Sequence, residues 1–246
     1  MSERRRRRSA SPRDRESTAG KIPQLPWKQP RNPYPPMQIL SDDQVETIHQ
    51  ASLRILSELG IELMSVEACR LFAAVGADVD EASQVVRLDP ALVESLISTA
   101  PSEFTLTSRN SDKRLIFGGN HMAFGLVAGP PSVHDCIQGR RSGNLKDYET
   151  FTRLAHHFNA IHIIGNQVCA PVELPANTRH LDTYSANIRL SDLCFHATAI
   201  GAGRAVDAIE MQAIARGISV EEMADNPESN PTFSFGAWNN LSLIHI

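Results

Sequence analysis

No stretch of the 246 residues approaches the run of about 18 to 20 apolar side chains that a helix needs to cross a bilayer. The amino terminus is basic, with Arg4 to Arg8 in an unbroken run and Arg13 and Arg15 close behind. The residues after the run, Ser9-Ala10-Ser11-Pro12-Arg13-Asp14, lack the apolar core of a secretory signal. Cysteine is scarce. Cys69, Cys136, Cys169 and Cys194 lie far apart and form no C-x-x-C pair, which argues against a zinc knuckle and a dithiol redox centre. They read as free thiols in a reducing compartment, and the expected location is cytoplasmic. Aromatics make up only 6%, and the net charge is -4, so no bulk field draws the chain to nucleic acid.

Several chemical signatures are also missing. There is no P-loop, no G-x-S-x-G and no H-E-x-x-H. Gly201-Ala202-Gly203-Arg204-Ala205-Val206-Asp207 opens like a dinucleotide fingerprint but carries Asp207 where the third glycine belongs. His156 and His157 are adjacent on a predicted helix, so they cannot share one face as i, i+4 ligands do, and no metal site is expected.

What is present sorts into four stretches. Residues 1–36, rich in Arg, Ser and Pro, read as a disordered, solvated tail. Residues 37–117 read as a helical extension with short strands. Ser41 with Gln44 forms a capping-box signal for a helix to Leu59, with Val45, Ile48, Ser52, Ile55, Leu56 and Leu59 on its inward face and Gly60 as its stop. A second helix is predicted over Val66–Val75, with Ala68, Leu71, Phe72 and Val75 inward. Val79 and Val85–Leu88 suggest a strand pair. Asp89-Pro90 opens a third helix that ends before Pro101. Phe104–Ser108 and Leu115–Phe117 read as short strands.

Residues 118–240 change character. A glycine-dense segment containing His121 and Phe124 is followed by a polar turn, Gly139-Arg140-Arg141-Ser142-Gly143, and a helix from about Leu145 to Phe158. Strands are then predicted at Ile161–Val168, Leu193–Ala199 and Thr232–Trp238. Helices are predicted between them from about Pro175 to Leu190, from about Arg204 to Arg216 and over Ser219–Ala224. This is α/β alternation, and a doubly wound sheet and a barrel fit it equally well. Leu241-Ser242-Leu243-Ile244-His245-Ile246 can be encoded by the end sequence of a transposase adapter used in sequencing libraries. Residues 241–246 are therefore read as an artefact and His245 is set aside.

If the strands belong to a barrel, functional groups sit at their carboxyl ends. The candidate substrate-binding residues are then Asn166 and Gln167 after the first strand, His196 in the second, and Trp238 and Asn239 after the third, with Phe124 from the glycine-dense segment. Gly165, Thr198 and Asn240 lie beside them. Amides there can orient a carboxylate or an amine, and Trp238 or Phe124 could face a cation. The same amides can equally serve loop backbone, and Trp238 can equally be core. No catalytic residue is identified.

The chain resembles the trimethylamine methyltransferase family. The resemblance is carried by Ile48-His49-Gln50-Ala51-Ser52-Leu53-Arg54-Ile55-Leu56-Ser57-Glu58-Leu59-Gly60-Ile61, the Gly76-Ala77-Asp78-Val79-Asp80 turn, and Ala100-Pro101-Ser102-Glu103-Phe104-Thr105-Leu106 running into Ser108-Arg109-Asn110. Gly118-Gly119, Gly129-Pro130-Pro131, Gly139-Arg140-Arg141, and Leu174-Pro175 with Arg179, Leu181 and Asp182 continue it. The resemblance implies a partial (β/α)8 TIM-type barrel with an N-terminal helical extension, truncated in mid-barrel. It also implies methyl transfer from a tertiary or quaternary methylated amine, trimethylamine or a betaine, to the Co(I) of a corrinoid held by a cognate partner protein. The pyrrolysine-lacking, betaine-using branch is the expected one. No cofactor is expected on the chain itself, which is expected to be inactive alone and a homo-oligomer when full length. Two other classes fit the pattern: a non-catalytic α/β binding protein, and a nicotinamide-dependent oxidoreductase on a doubly wound sheet.

Overall fold

A computed structural model describes residues 22–35, 37–165, 167–197, 201–226 and 232–233. They divide into two units. One holds Arg31–Phe104 with Ile116–His121, and the other holds the remainder.

The first unit is laid out by its caps. Helix α1 (Asp42–Arg54) starts where Ser41 Oγ accepts the Gln44 N–H at 3.3 Å and Gln44 Oε1 accepts the Ser41 N–H at 2.9 Å, the reciprocal box expected from sequence. A π turn (Ile55–Leu59) completes it. Gly60 then turns the chain at φ +79°, where a Cβ would meet the Val86 carbonyl oxygen at 2.6 Å. Strand β1 (Ile61–Glu62), helix α2 (Val66–Ala74), strands β2 (Asp78–Asp80) and β3 (Val85–Arg87), and helix α3 (Pro90–Ile97) come next. The strands form an antiparallel sheet in the order β1-β3-β2, one strand more than the expected pair. Asp89 caps α3 by accepting the Ala91 and Leu92 N–H groups, with Pro90 at the first helical position as predicted. Strands β4 (Glu103–Leu106) and β5 (Leu115–Gly118) pair with each other.

The buried faces differ from the expected ones. Leu53 is 4% exposed, and Leu56 packs with Phe72 and Leu92 on the core of Cys69, Val86 and Leu88. Val45, Ile48, Ile55 and Leu59, predicted to face inward, are exposed, as are Leu71 and Val75 of the second helical segment. The apolar residues of both helices cover more than one face. What each helix packs against selects the inward stripe, and period alone does not.

The second unit begins with an irregular strap. Residues 22–30 form no helix or strand, yet Gln24 Oε1 accepts the Asn159 N–H at 2.7 Å, Asn159 Nδ2 donates to the Leu25 carbonyl at 2.9 Å, and the Trp27 ring meets His162 edge-on. Strands β6 (Ser132–Asp135) and β7 (Gly139–Ser142) form an antiparallel hairpin. The expected polar turn at 139–143 is therefore largely a strand. The reversal lies at Cys136–Gln138, where Asp135 Oδ1 accepts the Ile137 and Gln138 N–H groups.

Helix α4 (Leu145–His157), strand β8 (Ile163–Ile164), helix α5 (Arg179–Leu190), strand β9 (Cys194–His196), helices α6 (Ala202–Arg216) and α7 (Val220–Asp225), and strand β10 (Thr232–Phe233) continue the chain in the alternation read from sequence. Helix α5 starts four residues later than predicted, because Thr178 and Arg179 donate to the Pro175 carbonyl in a turn. The sheet order is β10-β9-β8, parallel throughout. Ile164 and Phe195 pack with Tyr148 and Tyr184 of α4 and α5 in the main core. At the amino ends of the strands, Arg109 donates to the Ser191 carbonyl at 2.7 Å. Lys113 and Asn110 hold the Asp192 carboxylate, with the lysine ammonium at 2.8 Å. No helix among the described residues is long and apolar enough to cross a membrane.

The reassigned helix face gives a direct test. Leu53→Ala should cost about 2–5 kcal/mol as a buried truncation. Ile48→Ala, from a side chain 56% exposed, should change stability by no more than about 0.5 kcal/mol. Chemical denaturation of both variants in the full-length protein measures the difference, and equal effects would contradict the assigned face.

Candidate functional site

The site is set by strand register. Ile163 stands opposite Cys194 and Ile164 opposite Phe195, while Phe195 and His196 stand opposite Thr232 and Phe233. Parallel strands align their carboxyl ends, so Gly165 and His196 are level and Gln167 lies two residues further out. The glycine-dense segment adds a strand-like neighbour on the far side of β8. Gly125 bridges Ile163 in parallel, the Leu126 N–H donates to the Ile163 carbonyl at 3.3 Å, and the Gly129 N–H donates to the Gln167 carbonyl at 2.9 Å. Gly165 permits this approach: a Cβ there would lie 2.2 Å from the Leu126 carbonyl oxygen.

The structure brings Gln167 and His196 to the carboxyl end of this sheet. Gln167 takes the left-handed conformation at φ +46°, uncommon for a residue with a side chain, and turns the chain off β8. Val168 and Cys169 beyond it are buried, and the Ala170 N–H donates to the Pro130 carbonyl at 2.9 Å, so the loop is pinned to the base of the β6–β7 hairpin. Alternation along β9 sends Phe195 to the helix layer and His196 to the opposite side of the sheet. His196 is half-buried, and burial holds its imidazole below the ordinary value of 6.5, in the neutral form at pH 7.

Phe124 is placed elsewhere, at the amino end of β8. Its carbonyl accepts the His162 N–H at 2.8 Å, its own N–H donates to His162 Nδ1 at 3.1 Å, and its half-exposed ring lies 5.9 Å from the imidazole. His162 Nε2 reaches the Lys28 carbonyl at 3.1 Å, so both ring nitrogens are occupied by backbone. Asn166, Thr198, Trp238, Asn239 and Asn240 lie outside the described residues.

Sequence reading missed three polar pairings around these strands. Arg141 grips Asp147 through both guanidinium termini, Nη2 lying 2.6 Å from Oδ1, and ties the hairpin to the start of α4. This contact holds the Asp147 carboxyl below the usual carboxylate range. His180 Nε2 lies 2.7 Å from Asp207 Oδ2, linking α5 to α6. Arg204 Nη2 donates to the Ala176 carbonyl at 3.0 Å, linking the first turn of α6 to the loop ahead of α5. Arg140-Arg141 and Asp207 were visible in the sequence, but their partners are set by the packing of hairpin and helices. Two of the thiols are poor nucleophile candidates: burial pushes Cys169 up to about 11 and Cys194 up to about 12. Among the described residues no three His, Cys, Asp or Glu side chains group as metal ligands.

Comparison with known proteins gives a consistent picture. The family described as Trimethylamine methyltransferase (MTTB) matches residues 4–233. A glycine betaine methyltransferase of Desulfitobacterium hafniense (strain Y51) is 36% identical over 180 residues, 73% of this chain and 37% of that protein. Trimethylamine methyltransferase MttB of Desulfitobacterium hafniense (strain DSM 10664 / DCB-2) is 36% identical over 84 residues, 34% of this chain and 17% of that protein. A proline betaine:corrinoid methyltransferase of Eubacterium limosum is 33% identical over 76 residues, 31% of this chain and 15% of that protein.

His196 supplies a measurable signature. Its folded-state value lies below its unfolded value, so below about pH 6.5 the unfolded chain binds more protons and this group subtracts from stability. Above that pH both states are neutral and it contributes nothing. NMR titration of the imidazole should give a midpoint below 6.5. A midpoint at or above 6.5 would remove the neutral imidazole from the site.

Proposed function

Because the chain belongs to the trimethylamine methyltransferase family, we propose that the protein of which it forms part moves a methyl group from a quaternary amine, a betaine of the glycine betaine kind, to the Co(I) of a corrinoid carried by a separate protein. The betaine choice is supported by the reach of the similarity: 180 residues align with a glycine betaine methyltransferase, against 84 with the trimethylamine enzyme from another strain of the same species. The parallel β8, β9 and β10 units, with 124–129 beside β8, are consecutive units of a (β/α)8 barrel in this reading. The aligned part spans 37% of the glycine betaine enzyme, which leaves length for the other units. The protein works in the cytoplasm, as a homo-oligomer when full length.

The observation that carries the reading is that the family match runs through these parallel units, with a neutral His196 at the carboxyl end of the middle strand. When the carbon–nitrogen bond breaks, its electron pair returns to nitrogen and the substrate loses its positive charge. A strongly anionic pocket would therefore stabilise the bound cation more than the transition state and slow the step. A pocket of neutral polar and aromatic groups avoids that penalty. His196 in its neutral form does not repel the quaternary nitrogen, as an imidazolium would. The Gln167 amide, with Asn166 and Asn239, orients the betaine carboxylate, and Trp238 offers a ring face to the cation, whereas Phe124 sits at the other end of β8 and takes no part. The corrinoid supplies the nucleophile when its carrier docks on the carboxyl rim. The residues of this chain bind the amine, orient it and exclude water.

The test is a methyl-transfer assay with the full-length protein, its corrinoid partner under reducing conditions, and glycine betaine, proline betaine or trimethylamine as donor. Glycine betaine should be demethylated to dimethylglycine, and transfer only from trimethylamine would overturn the substrate choice. Gln167→Ala should weaken betaine binding by about 1 kcal/mol, the worth of a hydrogen bond, and Trp238→Ala by about 0.5–2 kcal/mol. Unchanged affinity in both variants, measured by calorimetry, would move the pocket elsewhere.

A further inference from the structure

His180 is a histidine the proposed reaction does not use. It is the second residue of α5, just after the loop that leaves Gln167, and only 4% of it is exposed. Its Nε2 lies 2.7 Å from Asp207 Oδ2 on α6, while its Nδ1 is buried and has no hydrogen-bond partner among the described residues. One directed bond from Nε2 to a carboxylate thus fixes the ring. Two further contacts run alongside. The ring meets Tyr184 edge-on at 5.6 Å, and Tyr184 in turn packs on Phe195, the strand neighbour of His196. Tyr184 also donates to the Arg204 carbonyl at 3.4 Å, and the Arg204 guanidinium donates to the Ala176 carbonyl at 3.0 Å. The first two turns of α6 are thus tied to α5 and to the loop ahead of α5 by one short network. That loop and α6 come after β8 and β9, the strands whose carboxyl ends carry Gln167 and His196.

We infer that His180 and Asp207 form a positioning latch that ties α6 to α5 and to the loop ahead of α5, and thereby fixes Gln167 and His196 for the methylated amine. A buried polar side chain that makes a single bond would lose little packing if replaced by leucine; what it adds over leucine is a directed contact between two helices. The latch touches no substrate. It shapes the pocket equally for bound substrate and transition state, and its loss should therefore appear as a raised KM with kcat nearly unchanged. The substrate part of this inference rests on the proposed methyl transfer, but the geometric part does not.

The experiment compares His180→Leu, His180→Gln and Asp207→Ala in the full-length protein. Glutamine keeps an N–H donor at the reach of Nε2, whereas leucine fills the space without one. Hydrogen exchange of segments 172–178 and 201–208 should be about tenfold faster in His180→Leu and Asp207→Ala than in the wild type, with His180→Gln restored to near the wild-type rate. With glycine betaine as donor, KM should rise about tenfold in the two disrupting variants while kcat stays within about twofold. If His180→Leu does not fold, Asp207→Ala, which changes a side chain 39% exposed, decides. Unchanged exchange in those segments overturns the latch whatever the protein does. Faster exchange with unchanged KM reduces the pair to a structural contact and overturns its positioning role. A fall in kcat at constant KM also overturns it, since the effect would then lie in the chemical step. If the wild type transfers no methyl group from any donor, the functional reading fails, and the latch is judged on exchange alone.

Discussion

The geometry of the site hinges on the close approach of two backbones at Gly165. With no Cβ at that position, the 124–129 segment can lie against β8 and pass hydrogen bonds from Leu126 and Gly129 to the Ile163 and Gln167 carbonyls. Any side chain there would meet the Leu126 oxygen at 2.2 Å and push the segment away. The loop from Gln167 to Ala170 would then lose its anchor on Gly129 and Pro130. A single glycine thus couples the edge of the sheet to the conformation of the residue that leaves it.

The two ends of the strands are built differently. At the amino ends, charged side chains meet backbone and one another: Arg109 on the Ser191 carbonyl, Lys113 and Asn110 on Asp192, Arg216 on the Thr107 carbonyl. His162 is spent on the backbone of Phe124 and Lys28. These contacts hold elements in place and leave little free chemistry. At the carboxyl ends, the two described candidates are neutral, Gln167 in a left-handed turn and His196 kept uncharged by burial. Stability on one face and adaptable polar groups on the other is the division of labour expected of parallel strand–helix units.

Local signals in the sequence located most of the elements, for reasons confined to a few residues each. Ser41 with Gln44, and Asp89 with Pro90, mark helix starts because a side-chain oxygen and a backbone N–H two or three residues on satisfy each other within one turn. The run of apolar residues around Ile163 and around Phe195 marks strands buried on both faces. Partners were harder to read. The β7 strand looked like a turn because Gly139-Arg140-Arg141-Ser142 is polar, and only its ladder to β6 makes it extended. Phe124 looked like a companion of Gln167, but parallel pairing of its segment sets it at the other end of the strand.

Residue identity and short spacing were enough to establish the alternation of strands and helices, the caps, the absence of metal and nucleotide signatures, and the family. The caps are written within a few consecutive positions, and the family in the order of short segments along the chain. Long-range packing chose which face of α1 is buried, where Arg141 and His180 find their carboxylates, and which candidates share an end of the sheet. Most of those outcomes are set by contacts between residues far apart in the chain, such as the 27 positions separating His180 from Asp207, and the Arg141–Asp147 pair, six positions apart, forms only because the hairpin packs on the start of α4. No local pattern encodes the His180–Asp207 contact, because the packing of two helices on adjacent strands creates it.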